Sequence, residues 1–334
     1  MRRLLYLFMA AMLPIPGALA QGADPVVIRF SHVVAPDAPK GRAAEHFARL
    51  AAERSGGRVR VEVYPNSRLF GDKDEMAALQ AGLVEMLAPS LSKIKVLRST
   101  EFELFDLPYL FADVAAVHRI TQGPIGRELL DGMRAQGAVG LAFWDNGFKQ
   151  MSANRPLRRP QDVRGLKMRI QPSKVLETQM TTLGASPVVM AFSEVFTSLK
   201  VGAVNGTENP VSNFYTQNMH HAQSHLTLTD HGWLGYAVLV NRTFWEGLPA
   251  DLRNVLEEAM GEATVFANRA ALEGNAAALA ALEASGQAEV VGLSAEDRRA
   301  WREALAPVHE EARRRIPAEL IERVYREAGY APSP

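Results

Sequence analysis

LKMRIQPSKVLETQMTTLGASPVVMAFSEVFTSLKVGAVNGTE, residues 166–208, alternates short strand-like runs with helix-spaced segments. Its pattern predicts strands over 166–171, 186–190 and 203–208, separated by helices over 173–183 and 193–201. Strands alternating with helices describe a parallel sheet covered on its faces by helices. The chain opens with the same rhythm. A strand is expected over 26–31, then a helix over 40–54 with Ala44, Phe47 and Ala51 on one face, stopped by Ser55-Gly56-Gly57. A period-two strand over 58–64, a helix over 73–82 and a strand over 84–89 follow. Between these two sets, 139–144 reads as a strand and Asp145-Asn146-Gly147 as a turn. Further on, 224–229 and 235–241 read as two strands, and 249–283 as a helix long enough to cross two lobes. Helices starting at Ser294 and spanning 317–327 complete the pattern. No flexible linker separates the two α/β sets, so the chain must cross between them more than once.

Residues 1–20 are excluded from this fold. Arg2 and Arg3 precede an apolar run over 4–13, and Ala18-Leu19-Ala20 forms a small-x-small site, the pattern of a secretory signal peptide cleaved after Ala20. Gln21, not cysteine, follows the expected cut, so no lipid anchor is expected. About 310 residues remain, enough for two lobes with substantial cores. The chain has 37 basic and 37 acidic residues and no cysteine. Such a balance leaves no nucleic-acid footprint. The missing thiols exclude cysteine chemistry, and a chain of this length can be exported without disulfides.

Three polar residues punctuate the central α/β segment. Arg169 ends the strand-like run from Leu166, Lys149 lies 20 positions before it and Asn209 lies 40 after it. A guanidinium presents a planar fork that matches a carboxylate, whereas lysine offers a point charge. Two cations and an amide on three loops suggest an anion-binding cleft, although the same Arg169 would also suit a surface ion pair. His220, His221 and His225 cluster without a third ligand or a suitably spaced glutamate, so no metal is expected. No nucleophile elbow, phosphate loop or dinucleotide fingerprint occurs, and no cofactor is expected.

Several motifs resemble the substrate-binding proteins of tripartite ATP-independent periplasmic (TRAP) transporters, in their DctP-like dicarboxylate-binding branch. The matching pieces include Phe30-Ser31-His32-Val33-Val34, Pro39-Lys40-Gly41, Tyr64-Pro65-Asn66-Ser67, Ala88-Pro89-Ser90 and Trp144-Asp145-Asn146-Gly147-Phe148-Lys149. Lys167-Met168-Arg169-Ile170-Gln171, Ala191-Phe192-Ser193-Glu194-Val195, Gly206-Thr207-Glu208-Asn209-Pro210 and His231-Gly232 continue the series in order. The resemblance implies an α/β periplasmic-binding-protein (Venus-flytrap) fold whose two lobes close on a ligand. Lobe one would hold 24–145 and 235–273, lobe two 146–234 and 274–321, with 322–334 as a C-terminal tail.

The resemblance also implies roles. Arg169 would anchor a substrate carboxylate, and Asn209 would contact the ligand. Lys149 stands where sugar-acid binders of this family carry arginine, a departure that counts against those larger ligands. Lys40 would reach a distal carboxylate from lobe one. Ser90 and Lys93, after the expected strand end at Leu87-Ala88-Pro89, would act like Lys40, and His32, Phe192, Asn213 and His231 occupy positions that line the cleft. The expected protein is a monomeric periplasmic binding protein, not an enzyme, which delivers its ligand to the small and large TRAP membrane subunits. The expected ligand is a four-carbon dicarboxylate such as succinate, fumarate or malate. The alternatives are a 2-oxo acid, aromatic acid or sugar acid, a sensory role, or an exported hydrolase on a similar fold.

Overall fold

The computed structural model describes residues 24–97 and 99–331. The expected signal peptide therefore lies outside the described residues. The chain begins with β1 (Val26–Ser31), α1 (Pro39–Arg54), β2 (Val59–Tyr64), α2 (Glu75–Gln80) and β3 (Met86–Leu87). It continues through α3 (Val114–Thr121), α4 (Pro124–Gly132), β4 (Ala138–Ala153), β5 (Lys167–Ile170), α5 (Lys174–Thr182), β6 (Ser186–Val189) and α6 (Phe192–Lys200). Then come β7 (Gly206–Asn209), α7 (Val211–Thr216), β8 (His225–Asn241), α8 (Arg242–Gly247), α9 (Ala250–Ser285) and β9 (Glu289–Val291). Helices α10 (Ala295–Leu305), α11 (Pro307–Ala312) and α12 (Ala318–Ala328) close the chain. Helix starts follow the side chains available: Ser173 and Ser294 accept backbone N–H bonds at the starts of α5 and α10.

All nine strands among the described residues belong to one sheet, ordered β2-β1-β3-β8-β4-β7-β5-β6, with β9 on β8. One half is built on the parallel β1, β2 and β3, the other on the parallel β5, β6 and β7. The long antiparallel strands β4 and β8 run through both halves, paired from Ala138↔Asn241 to Ala153↔His225. Two sequence expectations are corrected here. Asp145-Asn146-Gly147 is not a turn but an irregularity within one continuous strand, and the two strands expected over 224–241 are one. The local turn chemistry is real: the register shifts between Asp145 and Gly147, opposite Gly235 and Leu234, and Gly147 has φ of +130°. Pairing with the partner strand carries both chains through that break, as in a β-bulge.

Helix α9 is 36 residues long and buries Leu252, Leu256, Ala259, Met260, Ala263 and Ala267 along one stripe. Three of its polar side chains hold β4 at the break. Thr264 accepts the Trp144 indole N–H at 3.1 Å, Asn268 accepts the Asp145 N–H at 3.0 Å, and Asn275 donates to the Asn146 carbonyl at 2.6 Å. Three apolar clusters cover the sheet, one of them joining α1, α9 and β1 around Phe30, Phe47 and Trp144. Helix α12 runs unbroken past residue 321 and packs against α3, with Arg119 donating to the Glu327 carbonyl at 2.8 Å. No described helix is long and apolar enough to cross a membrane.

Candidate functional site

Arg169 is the third residue of β5 and is 2% exposed. Its Nε and Nη2 donate to the Met190 carbonyl at 3.1 and 2.8 Å, just beyond the end of β6. The Phe192 ring lies 5.6 Å from the guanidinium carbon. These contacts fix the plane of the fork and leave Nη1 with no hydrogen-bond partner among the described residues. Burial pulls the Arg169 pKa down, while Asp72, Glu208 and Glu194 act in the opposite direction. A guanidinium stays charged through such a shift.

Lys40 enters from the first turn of α1. Gly41 makes this placement possible, because a Cβ there would sit 2.5 Å from the carbonyl oxygens of Ala35 and Pro36. The Lys40 Nζ donates to the Ala88 carbonyl at 2.9 Å and lies 3.8 Å from the Tyr236 ring centroid. Burial, aided by repulsion from Lys93, pushes its pKa down to about 7.

Two other sequence-predicted cations are already matched by carboxylates. Lys93 pairs with Asp72 and, at 2.8 Å, with Glu75. Lys149 lies 3.1 Å from Glu208 and 3.5 Å from Asp106. Glu208 also meets His231 Nε2 at 2.9 Å, and the other His231 nitrogen meets Thr229 at 2.7 Å. Burial alone would raise the Glu208 pKa, but Lys149 and His231 outweigh it and hold it below the usual carboxylate value. Arg169 and Lys40 differ from these. Both are 2% exposed, and neither has a carboxylate within 4 Å among the described residues.

A narrow cleft of about 10 Å³ is lined by six of the predicted residues: Lys40, Ser90, Lys93, Phe192, Asn209 and Asn213. Arg169 adjoins it through Phe192. Lys149 and His231 are not in the lining and act on Glu208 instead. His32 is fully buried near Lys40, and burial together with that charge pushes its pKa down to about 3, leaving it neutral. Larger hollows beside α9 contain no buried cation, so charge and not size locates the site.

Sequence reasoning missed several groups here. Gln171, Leu234 and Tyr236 line the cavity, and Gln171 Nε2 donates to Ser90 Oγ at 2.7 Å. Asn213 Oδ1 and the Tyr236 hydroxyl are buried and, among the described residues, neither makes a hydrogen bond of good geometry, although Asn213 lies close enough to act on the Tyr236 hydroxyl; such a state is costly unless something else supplies a partner. Tyr236 sits within a continuous apolar strand pattern, which hides its polar tip. Gln171 was visible beside Arg169 in the motif. Such an arrangement can hold a small anion: a fixed guanidinium from one half of the sheet, an ammonium from the other, and polar and aromatic groups between them.

Comparison with known proteins agrees with this chemistry. The model of bacterial extracellular solute-binding protein, family 7, matches residues 30–315. The chain is 58% identical over 299 residues to the C4-dicarboxylate-binding periplasmic protein DctP of Rhodobacter capsulatus, covering 90% of each chain. A TRAP periplasmic solute-binding protein from Shewanella oneidensis, solved with bound succinate, is 42% identical with a TM-score of 0.89, covering 91% of this chain and 99% of that one. Another from Pseudomonas aeruginosa PAO1, solved with bound L-malate, is 46% identical with a TM-score of 0.84, covering 86% and 100%.

Proposed function

The chain belongs to bacterial extracellular solute-binding protein family 7, a family of transport proteins and not enzymes, and from that premise we propose that it captures a four-carbon dicarboxylate such as succinate, fumarate or malate. Delivery is to the small and large membrane subunits of a TRAP transporter. The observation that carries the ligand class is the pair of buried cations, Arg169 and Lys40, that have no carboxylate partner among the described residues. A buried charge is unfavourable alone and favourable when paired and hydrogen-bonded. A dianion answers both charges, with Arg169 taking one carboxylate as a fork and Lys40 the other. Asn209, Asn213, Ser90 and Tyr236 offer the remaining hydrogen bonds, and Phe192 packs the carbon chain. His32 completes the wall beside Lys40. Lys93, Lys149 and His231 support the site by orienting Asp72 and Glu208.

We assign lobe one to 24–145 and 235–273 and lobe two to 146–234 and 274–321, with 322–334 as a C-terminal tail. The register break in β4 and β8 is then the hinge. The working form is a periplasmic monomer cleaved after Ala20. Mass spectrometry of the exported protein and its sedimentation coefficient test these two points.

The ligand class is tested by calorimetry with succinate and with butyrate, its monoanionic counterpart. Succinate is expected to bind far more tightly. Equal affinity for the two would refute the dicarboxylate reading.

A further inference from the structure

Asp72 lies in the loop between β2 and α2, its side chain 8% exposed, with both carboxylate oxygens engaged. One meets Lys93. The other accepts the backbone N–H of Phe192, the first residue of α6. These partners come from opposite halves of the sheet: Lys93 follows β3, and Phe192 follows β6. A helix start leaves backbone N–H groups without partners and carries partial positive charge, so a carboxylate there is favourable. Ala191, at the cap position of α6, offers no side-chain bond of its own. Asp72 supplies it from 120 residues away. The adjacent Lys73 reaches Glu194 in the same first turn at 3.1 Å, but that pair is 71% and 49% exposed. Ser90 and Gln171 add one neutral bond between the halves.

We propose that Asp72 is the latch of the closed cleft, a positioning residue that caps α6 from the opposite lobe and slows ligand release. The inference rests on the reading that the lobes close around a carboxylate. Asp72 itself is unsuited to touching an anion, because its charge would repel one and its oxygens are taken. Lys93 keeps the carboxylate ionised and aimed, and Glu75 holds Lys93 at 2.8 Å from the side. Opening the cleft must break the bond to Phe192, so the latch acts on dissociation.

The chain contains no cysteine, so Glu53→Cys and Val201→Cys would place one label on each lobe. Interlabel distances by electron–electron resonance, with and without succinate, report closure directly. Asp72→Ala should shift the distribution toward longer distances in both conditions. Stopped-flow measurement should show succinate dissociation faster by roughly tenfold to a hundredfold, the worth of a charge-assisted bond, with association little changed. Asp72→Asn keeps an acceptor oxygen and should fall between. Lys73→Ala should behave as wild type, as expected of an exposed pair. Asp72→Ala leaves Lys93 paired with Glu75, so folding should survive, and Asp72→Asn carries the test if it does not. Unchanged distances and dissociation rates in both Asp72 variants would overturn the latch. Failure of the wild-type protein to respond to succinate would instead refute the ligand reading, while the distance comparison without succinate would still decide on Asp72.

Discussion

Lys40→Met separates fold stability from ligand recognition, because the two should move in opposite directions. The Lys40 pKa falls from its ordinary 10.5 to about 7 on burial. At pH 7 such a depression weakens the fold by about 4 kcal/mol relative to an uncharged side chain. The sign follows from proton counting. Between those two values the unfolded chain holds the proton and the folded chain does not. The penalty is therefore full below pH 7 and gone above pH 10.5. Methionine removes it, but leaves the Ala88 carbonyl without its donor and Tyr236 without its cation, an opposing cost of about 2–4 kcal/mol. The variant without ligand should thus be as stable as wild type, or more stable by up to about 2 kcal/mol. Succinate affinity should fall by about 2–5 kcal/mol, roughly thirtyfold to a few thousandfold, because one carboxylate loses its buried partner. Butyrate affinity should change little. Calorimetry with both ligands and urea unfolding without ligand test this together. An unchanged succinate-to-butyrate ratio, or a variant clearly less stable than wild type, would refute the reasoning.

Arg169→Ala should lose roughly thirtyfold or more in succinate affinity, and Arg169→Lys should remain impaired because a point charge cannot replace the fork; near-wild-type calorimetry for either would remove Arg169 as the anchor. Lys149→Met strands Glu208 and Asp106 in the interior and should cost about 3–5 kcal/mol of stability, recovered in part by adding Glu208→Gln; a urea midpoint equal to wild type would contradict the buried network. Succinate affinity should weaken as pH rises from 7 to 9, because Lys40 is increasingly neutral there and binding must return its proton; calorimetry in buffers of different ionisation enthalpy should show proton uptake, and a pH-independent affinity would exclude Lys40 as the second partner. Gly147→Ala should destabilise the junction of the lobes, since its Cβ would lie 2.6 Å from Asn275 Nδ2 at a φ of +130°; an unaltered melting temperature and an unaltered radius of gyration in small-angle scattering would show that the break tolerates a side chain.

The strands around Arg169 were legible because each is bounded by a local signal: Gly165 before β5, Ser173 capping α5, and the Gly202–Asn205 stretch before β7. Their boundaries agree with expectation to within a few residues, and so does α9, whose alanine-rich stripe is long and regular. The expected strand over 84–89 is longer than the observed β3 because that stretch is apolar apart from Glu85, yet only Met86 and Leu87 find ladder partners. Helices α3 and α4 went unread. Each is under ten residues, too short for its apolar spacing to stand out, although Asp113 caps α3 and Pro124 opens α4.

By itself, the amino-acid sequence determined the α/β class, the family resemblance and the chemical character of the site, because residue type sets hydrogen-bonding capacity and charge. It could not determine which charges are free. Lys40, Lys93 and Lys149 are chemically the same residue, and all three are buried. Only the tertiary structure brings Asp72 and Glu75 to Lys93, and Asp106 and Glu208 to Lys149, while leaving Lys40 on a carbonyl and an aromatic face. Those partners lie 18 to 59 positions away in the chain. The same holds for β4 and β8, whose local turn signals are overridden by pairing with each other. Ion pairing and strand pairing both depend on separations of a few ångströms between distant segments, and only the folded chain sets those.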